Sequence, residues 1–431
     1  MTRGLCRSAT RASTLAVPIL ALALLMTRNV SAERAPDLEP LQLDRLIEIA
    51  LEENPELRGL RSRIGADRAK VPQARTMPDP MVGLSFSDVL NLDSSIMFEA
   101  KQRVPWPGKL RLLSEAAALS ADRTVTEYTE KAYEVAAAVK TAYYELYFVE
   151  KSIEVALANK DLLADFVTIA EAKYSVGFGL QQDVLRAQVA ESRILDDLLK
   201  LRQRRAAVRA RLNALLNRPP EAPLRPAADF TRHRVTLPQS ALEQIARQRR
   251  AALKGNRLGI ERAQVLRDLA VRNLKPNFEL RAGVAPKGAM GARDTTVSFG
   301  VMFELPLYHR TKQDRAIEQR AAEVEAARRA YEARETAILA RIEDRLAALR
   351  RADREVELFR TGIIPQAELS LESARAGYQV NKVDFLALLD NQISLYNDLR
   401  QYYRALTDYE KGVAELERTI GTPLETSEVQ P

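Results

Sequence analysis

Few side chains in this 431-residue chain could do chemistry alone: two histidines, His233 and His309, and one cysteine, Cys6. A zinc site takes about four ligands at close spacing, and nucleophilic or acid/base catalysis takes a base within reach of a partner. His233 lies in a proline-rich linker and His309 just after an alternating apolar segment, and neither has a partner at motif spacing. No metal site, cofactor or catalytic constellation is therefore expected. One cysteine cannot form an internal disulfide. Asp196 and Asp197 are adjacent but lie in an arginine-dense stretch, where solvated ion pairs are the expected arrangement. Arg202, Arg204, Arg205, Arg209 and Arg211 could meet phosphate, yet their spacing fits the solvated face of a helix, and no nucleic-acid partner is expected.

The chain begins with an apparent export address at residues 1–32. Arg3, Arg7 and Arg11 precede the apolar stretch Leu15–Met26, and Val30-Ser31-Ala32 offers small residues for cleavage before Glu33. The apolar stretch is too short for a spanning helix, which needs roughly 20 residues. Removing the four arginines of this segment lowers the formal charge from +7 to +3, so the basic balance says little about partners. After residue 32 no run of 18 apolar residues occurs. A transmembrane β-barrel, whose signal is much weaker, remains open.

With side-chain chemistry sparse, function must come from architecture. Glycine numbers 17 in 431 residues, well below the ordinary share of about 7%. No proline interrupts 109–218, 307–364 or 366–422, which predicts helices far longer than those of a globular domain. Val135, Val139, Ala142, Leu146, Val149, Ile153 and Ala156 recur at steps of four and three, as do Leu395, Leu399, Tyr402, Leu406, Tyr409, Val413, Leu416 and Ile420. That 3.5-residue period makes a coiled-coil seam.

The chain also repeats itself. Tyr174-Ser-Val-Gly177 aligns with Tyr378-Gln-Val-Asn381 at an offset of 204, which also pairs Leu212 with Leu416, Asn217 with Gly421 and Pro219 with Pro423. Near the repeat starts, Leu46, Ala50 and Leu57 pair with Leu242, Ala246 and Leu253 at 196. Repeat 1 is read as 33–220, with a helix over 41–75, strands over 80–104, a long helix over 108–174 and a helix over 181–217. Repeat 2 is read as 221–431, with a helix over 238–275, strands over 277–305, a long helix over 308–376 and a helix over 382–420. The strand segments alternate strictly: Val82, Leu84 and Phe86 against Gly83, Ser85 and Ser87, for example, and Val297, Phe299, Val301 and Phe303 against Thr296, Ser298, Gly300 and Met302. Each has membrane-spanning length, but four strands cannot close a barrel, whose practical minimum is about eight. Three chains would supply twelve. A helix over residues 108–173 would be about 100 Å long at 1.5 Å per residue.

Ala50-Leu-Glu-Glu-Asn-Pro-Glu-Leu57, Pro105-Trp-Pro-Gly-Lys109, Tyr174-Ser-Val-Gly177 and Leu416-Glu-Arg-Thr-Ile-Gly421 stand in an order that resembles the TolC family of outer-membrane exit ducts. The resemblance covers nearly the whole chain after the signal. It implies a mainly α fold with transmembrane β: two repeats, long coiled-coil helices forming a periplasmic tunnel, and four strands per chain completing a 12-stranded trimeric β-barrel. Equatorial segments near 219–238 and 422–431 would join the two parts. The implied partners are two further copies in a homotrimer, outer-membrane lipid, a periplasmic adaptor protein and an inner-membrane RND-type transporter, with the duct passive and not an enzyme.

In the family the tunnel narrows where each repeat turns between helices, here at Tyr174–Asp183 and Tyr378–Asp390. Gly177 and Asn381 suit the left-handed backbone such a turn needs. By correspondence, Asp183 and Tyr378 match partners that tie neighbouring coiled coils shut, and Asp390 an acid of the aperture ring. Two positions depart: Ala387 replaces the second aperture acid, and Val383 the gate arginine, with Lys382 one residue away as a substitute cation. Trp106 is read as an interfacial anchor or as core at the barrel–tunnel junction. Pro105–Lys109 is most similar to the branch serving metal-cation efflux; toxic organic compounds, secreted proteins, or a secreted coiled-coil scaffold without a lumen are the alternatives.

Overall fold

The computed structural model describes residues 42–87, 95–224, 230, 232–287, 294–424 and 427–428; the export segment expected over 1–32 lies outside them. Helices α1 (Leu43–Glu53) and α2 (Pro55–Arg75) replace the single helix expected over 41–75. Pro55 disfavours helical backbone at the residue before it. Asn54 sits at ψ 124°, and its side chain accepts from the Glu56 and Leu57 amides at 3.0 and 3.3 Å. The helix expected over 238–275 also breaks, at Arg250, into α5 (Gln239–Arg249) and α6 (Ala251–Arg272). No proline marks that break. There the buried Arg250 guanidinium pairs with Glu130 across the repeats.

A duplicated staple holds both breaks. Arg61 donates to the Leu51 carbonyl at 2.9 Å and to the Tyr128 hydroxyl at 2.9 Å. At equivalent positions Arg257 donates to the Arg247 carbonyl and the Tyr331 hydroxyl, both at 3.0 Å. Each guanidinium satisfies a carbonyl in the last turn of a helix, where no intrahelical donor exists.

Helix α3 (Lys109–Ser175) runs 67 residues without interruption and α4 (Gln181–Leu215) returns beside it. The expected seam from Val135 to Ala156 is buried throughout, no residue exceeding 8% exposure. In repeat 2, α7 (Gln313–Leu358) starts later than expected, after turns at 307–312. It continues through a π-turn, Phe359–Ile363, into α8 (Ile364–Gln379). Buried pairs before the π-turn, such as Val139 with Ile342 and Leu146 with Leu349, are 203 apart, whereas Ala170 with Ala374 are 204 apart. The π-turn thus absorbs one inserted residue, which an α-helix would accommodate only by rotating every later side chain off its face. Helix α9 (Phe385–Ile420) begins at Phe385, not 382, because Asp384 caps it by accepting from the Ala387 amide at 2.8 Å. The second seam is buried only from Tyr409 onward; Leu395, Leu399, Tyr402 and Leu406 stay part-exposed.

Strands β1 (Met81–Ser87), β2 (Ser95–Val104), β4 (Asn277–Lys287) and β5 (Asp294–Glu304) form one antiparallel sheet in the order β1-β2-β4-β5. The register places Val82, Ala100, Ala282 and Phe299 in one row and Leu84, Phe98, Val284 and Val297 in the next. One face is thus apolar and solvent-open, Phe299 being 83% exposed. The other carries Glu99, Lys101, Glu279 and Arg281, with Lys101–Glu99 at 2.8 Å and Arg281–Glu279 at 2.7 Å. The outer edges of β1 and β5 have no partner strand among the described residues.

At the junction, Trp106 is half-buried and stacks on Phe278 at 5.4 Å, with Phe278 edge-on to Phe303 at 5.3 Å. Gly108 has φ 91°, a backbone that disfavours any side chain. Buried Lys109 donates to the Lys275 carbonyl at 2.9 Å and the Asn277 amide oxygen at 2.8 Å. The Pro-Trp-Pro-Gly-Lys segment therefore clamps the first repeat to the strand entrance of the second, and burial lowers the Lys109 pKa.

Between the repeats, successive residues grip three helices. Phe230 packs on Tyr144 and Tyr147, at 5.1 and 4.7 Å. Arg232 bridges Asp353 and Glu357 of α7 at 3.2 and 2.9 Å. His233 meets Glu410 of α9 twice, by its amide at 2.9 Å and by Nδ1 at 2.7 Å. β3 (His233–Arg234) then pairs with β6 (Ser427–Glu428), tying the linker to the C-terminal segment. The Glu410 hydrogen bond raises the His233 pKa, opposed by burial and by nearby Lys140 and assisted by Glu417. A raised histidine pKa contributes stability fully below its ordinary value of 6.5 and loses it as pH climbs through the folded value. The urea midpoint should accordingly fall between about pH 6 and pH 8.5, and His233→Gln should flatten that slope; equal slopes in both proteins would remove His233 as its origin.

Candidate functional site at the helical tips

Both tips are Schellman turns, read from paired hydrogen bonds. After α3 the Phe178 amide donates to the Lys173 carbonyl at 2.9 Å and Gly177 to Tyr174 at 3.0 Å. After α8 the Lys382 amide donates to the Gly377 carbonyl at 2.8 Å and Asn381 to Tyr378 at 3.2 Å. Gly177 and Asn381 take the left-handed position at φ 77° and 59°. The same device closes α4 at Asn217, φ 53°, and its repeat equivalent Gly421, φ 76°, ends α9.

Each turn has room for one side chain at its base. Lys173 faces Gly179, where an added Cβ would stand 3.0 Å from the Lys173 Cβ. In repeat 2 the sizes are exchanged: an added Cβ on Gly377 would stand 2.5 Å from Val383 Cγ2. Val383 thus fills the space that lysine fills in the first repeat.

The two turns are joined within the chain. The Lys173 ammonium donates to the Tyr378 carbonyl and, at 2.7 Å, to Asn381 Oδ1, and lies 4.0 Å from the Tyr378 ring centroid. It combines a hydrogen-bonded cap on the end of α8 with a cation–π contact. Tyr378 is buried against Phe385 at 5.5 Å, and its hydroxyl has no hydrogen-bond partner among the described residues. Burial raises the Tyr378 pKa, and the charge of Asp183 adds to the shift. Asp183, in the first turn of α4, is near that ring without bonding it.

Lys382 is exposed, and the ammonium at Tyr378 is that of Lys173 instead. Sequence reasoning passed over Lys173 because its partners lie more than 200 residues away; the available signal was the glycine at its repeat equivalent, Gly377. Asp390 is exposed on α9 and borders a groove of about 570 Å³ between α4 and α9. Leu163, Val189 and Ile393 line its apolar part, and Arg186, Arg193 and Asp197 its polar part. Asp197 accepts from the Tyr396 hydroxyl at 3.2 Å and from Arg400 at 3.4 Å, while burial pushes the Tyr396 pKa up to about 12. Asp390 shares this groove with Gln182 and Arg186, neighbours of Asp183 on α4, whereas Lys173 and Tyr378 do not line it.

The model for outer membrane efflux proteins matches residues 46–218 and 242–422, one stretch in each repeat. The chain belongs to that family. Family members are passive channels, not enzymes. Among relatives, the chain is 19% identical over 394 residues to the cobalt-zinc-cadmium resistance protein CzcC of Cupriavidus metallidurans, covering 89% of this chain and 90% of that one. The fold is shared with solved structures. The channel protein CusC matches with a TM-score of 0.79 and 18% identity, over 89% of this chain and 93% of its own. The outer membrane protein VceC of Vibrio cholerae matches with a TM-score of 0.76 and 19% identity, over 89% and 97%.

Lys173→Met keeps the stem and removes the ammonium. It should loosen the α8–α9 turn by about 1–2 kcal/mol, read as faster amide exchange over 377–384, whereas Lys382→Ala should leave that exchange unchanged. Equal protection in all three proteins would refute the tie.

Proposed function

We propose that three copies of this chain close a twelve-stranded barrel in the outer membrane, continuous with a periplasmic helical tunnel, and that the assembly passively exports solutes. The observation that carries the reading is the four-stranded sheet, with an open apolar face, an ion-paired polar face and two unpaired edges. In hydrocarbon an unpaired edge costs several kcal/mol per backbone group, so β5 of one copy pairs β1 of the next and the apolar face meets lipid. Residues 1–32 serve as the export signal that brings the chain to the envelope.

Metal cations are the proposed cargo. The likeness to the cobalt-zinc-cadmium resistance protein supports this, and so does Pro105–Lys109. That segment also has a junction-clamping role, so it supports the cargo less than the relative does. A duct needs no resident metal site. Energy would come from an inner-membrane RND-type transporter, coupled through a periplasmic adaptor at the helical tips. At those tips Asp183, Tyr378 and the Lys173 tie hold the closed form, with Lys382 free to meet a neighbouring copy, and one Asp390 per chain forms a three-fold acidic ring that favours cations.

Single-channel recording in planar bilayers tests the duct directly, and absence of conductance would overturn it. Asp390→Ala should lower the cation-to-anion permeability ratio by roughly two- to threefold; an unchanged ratio would remove Asp390 from the constriction. A deletion strain should become sensitive to cobalt, zinc or cadmium, and sensitivity to detergents alone would favour organic cargo.

A further inference from the structure

The two helix breaks differ in charge. In the first repeat Asn54 caps α2 by accepting from the Glu56 and Leu57 amides, and Glu56 meets Lys131 of α3 at 2.5 Å. Cation and carboxylate balance there. At the repeat-equivalent positions the second break has Arg250 for Asn54, Ala252 for Glu56 and Arg334 of α7 for Lys131. No side chain caps α6, and its first turn has no acid. Two further arginines stand where the first repeat has alanine, Arg341 for Ala138 and Arg418 for Ala214.

Contacts across the break bring these residues together. Glu335, next to Arg334, accepts from Arg247 at 2.9 Å, and Tyr331, one turn earlier, accepts from Arg257 at 3.0 Å. This stretch of α7 therefore lies along the break. From the end of α9, Gly421 packs on Arg250, where an added Cβ would stand 3.3 Å from Arg250 Cδ. Burial lowers the Arg250 pKa; Glu130 opposes the shift, and Arg418, Arg334 and Arg341 each add to it.

Arg250 is only 4% exposed. Its Nη2 donates to Glu130, but Nε and Nη1 have no acceptor among the described residues. A turn of Glu130 Oε2, itself unbonded, would satisfy one of them and leave the other. Arg418 is matched by Glu415 at 2.7 Å, whereas Arg334 and Arg341 form no ion pair among the described residues. Buried N–H groups without an acceptor are costly, and a guanidinium cannot escape by losing its proton. One anion is missing from this cluster.

We infer that the second break binds a small oxyanion of the phosphate class at the N-terminus of α6, between Arg250, Arg334 and Arg341, where the first repeat has the Glu56 carboxylate. Free amides at the helix start, the positive end of its dipole and the guanidinium donors all favour such a ligand. The anion ties α6 to α7 as Glu56 ties α2 to α3. The site lies within one chain and does not depend on the proposed ring of copies.

Inorganic phosphate titrated into the detergent-purified chain, with ionic strength held constant by chloride, tests the site by calorimetry and by the thermal midpoint. Phosphate should bind once per chain and raise the midpoint. Arg334→Gln, at an exposed position, should weaken binding about tenfold. Ala252→Glu restores the carboxylate of the first repeat. It should raise the midpoint in phosphate-free buffer and abolish the phosphate response. A phosphate response no larger than that of chloride would overturn the site, and so would one that survives both substitutions.

Discussion

The structure depends on the uninterrupted apolar stripe of α3. For 67 residues it offers no glycine or proline to break the hydrogen-bond ladder, and its apolar positions return every 3.5 residues to the same flank. Helices α2, α4, α6 and α9 all pack against it. Two of these belong to the first repeat and two to the second, so α3 is the spine on which the duplication becomes one body. The Lys109 clamp at one end and the Lys173 tie at the other both start from α3 and end on the second repeat.

Duplication also shows where the copies differ. The staples Arg61–Tyr128 and Arg257–Tyr331 are nearly identical, although the first break is set at Pro55 and the second is held by the Arg250–Glu130 pair. The π-turn at Phe359–Ile363 is the site of the single inserted residue and leaves the seam on either side in register. Lys173 opposite Gly179 and Gly377 opposite Val383 show two solutions to one packing volume. The lysine solution reaches across to the other turn, so the two tips are not equivalent even though both are Schellman turns.

In an outer membrane efflux protein this inequality bears on function. In any closed assembly half of the junctions between repeats would be contacts already present in one chain, between α3 and α6 and between β2 and β4. The other half must form between copies. The internal α3–α6 contact is apolar, at Leu112, Ala116 and Val265.

The presence of long helices, strand alternation, the duplication and the left-handed turn residues Gly177 and Asn381 were legible in the sequence, because they arise from local backbone preference and from periods that repeat along the chain. The break at Arg250 was not, since it is held by Glu130 of a distant helix and not by a local breaker. The π-turn was missed because an offset of 203 and one of 204 look alike without burial to separate them. Asp183, Tyr378 and Asp390 could be named from sequence, but their grouping could not. The fold sets Asp183 near Tyr378, places the Lys173 ammonium on the Tyr378 ring and puts Asp390 on a groove shared with α4. Local geometry is written in neighbouring residues, whereas a contact across 200 residues exists only once two helices have chosen which faces to bury.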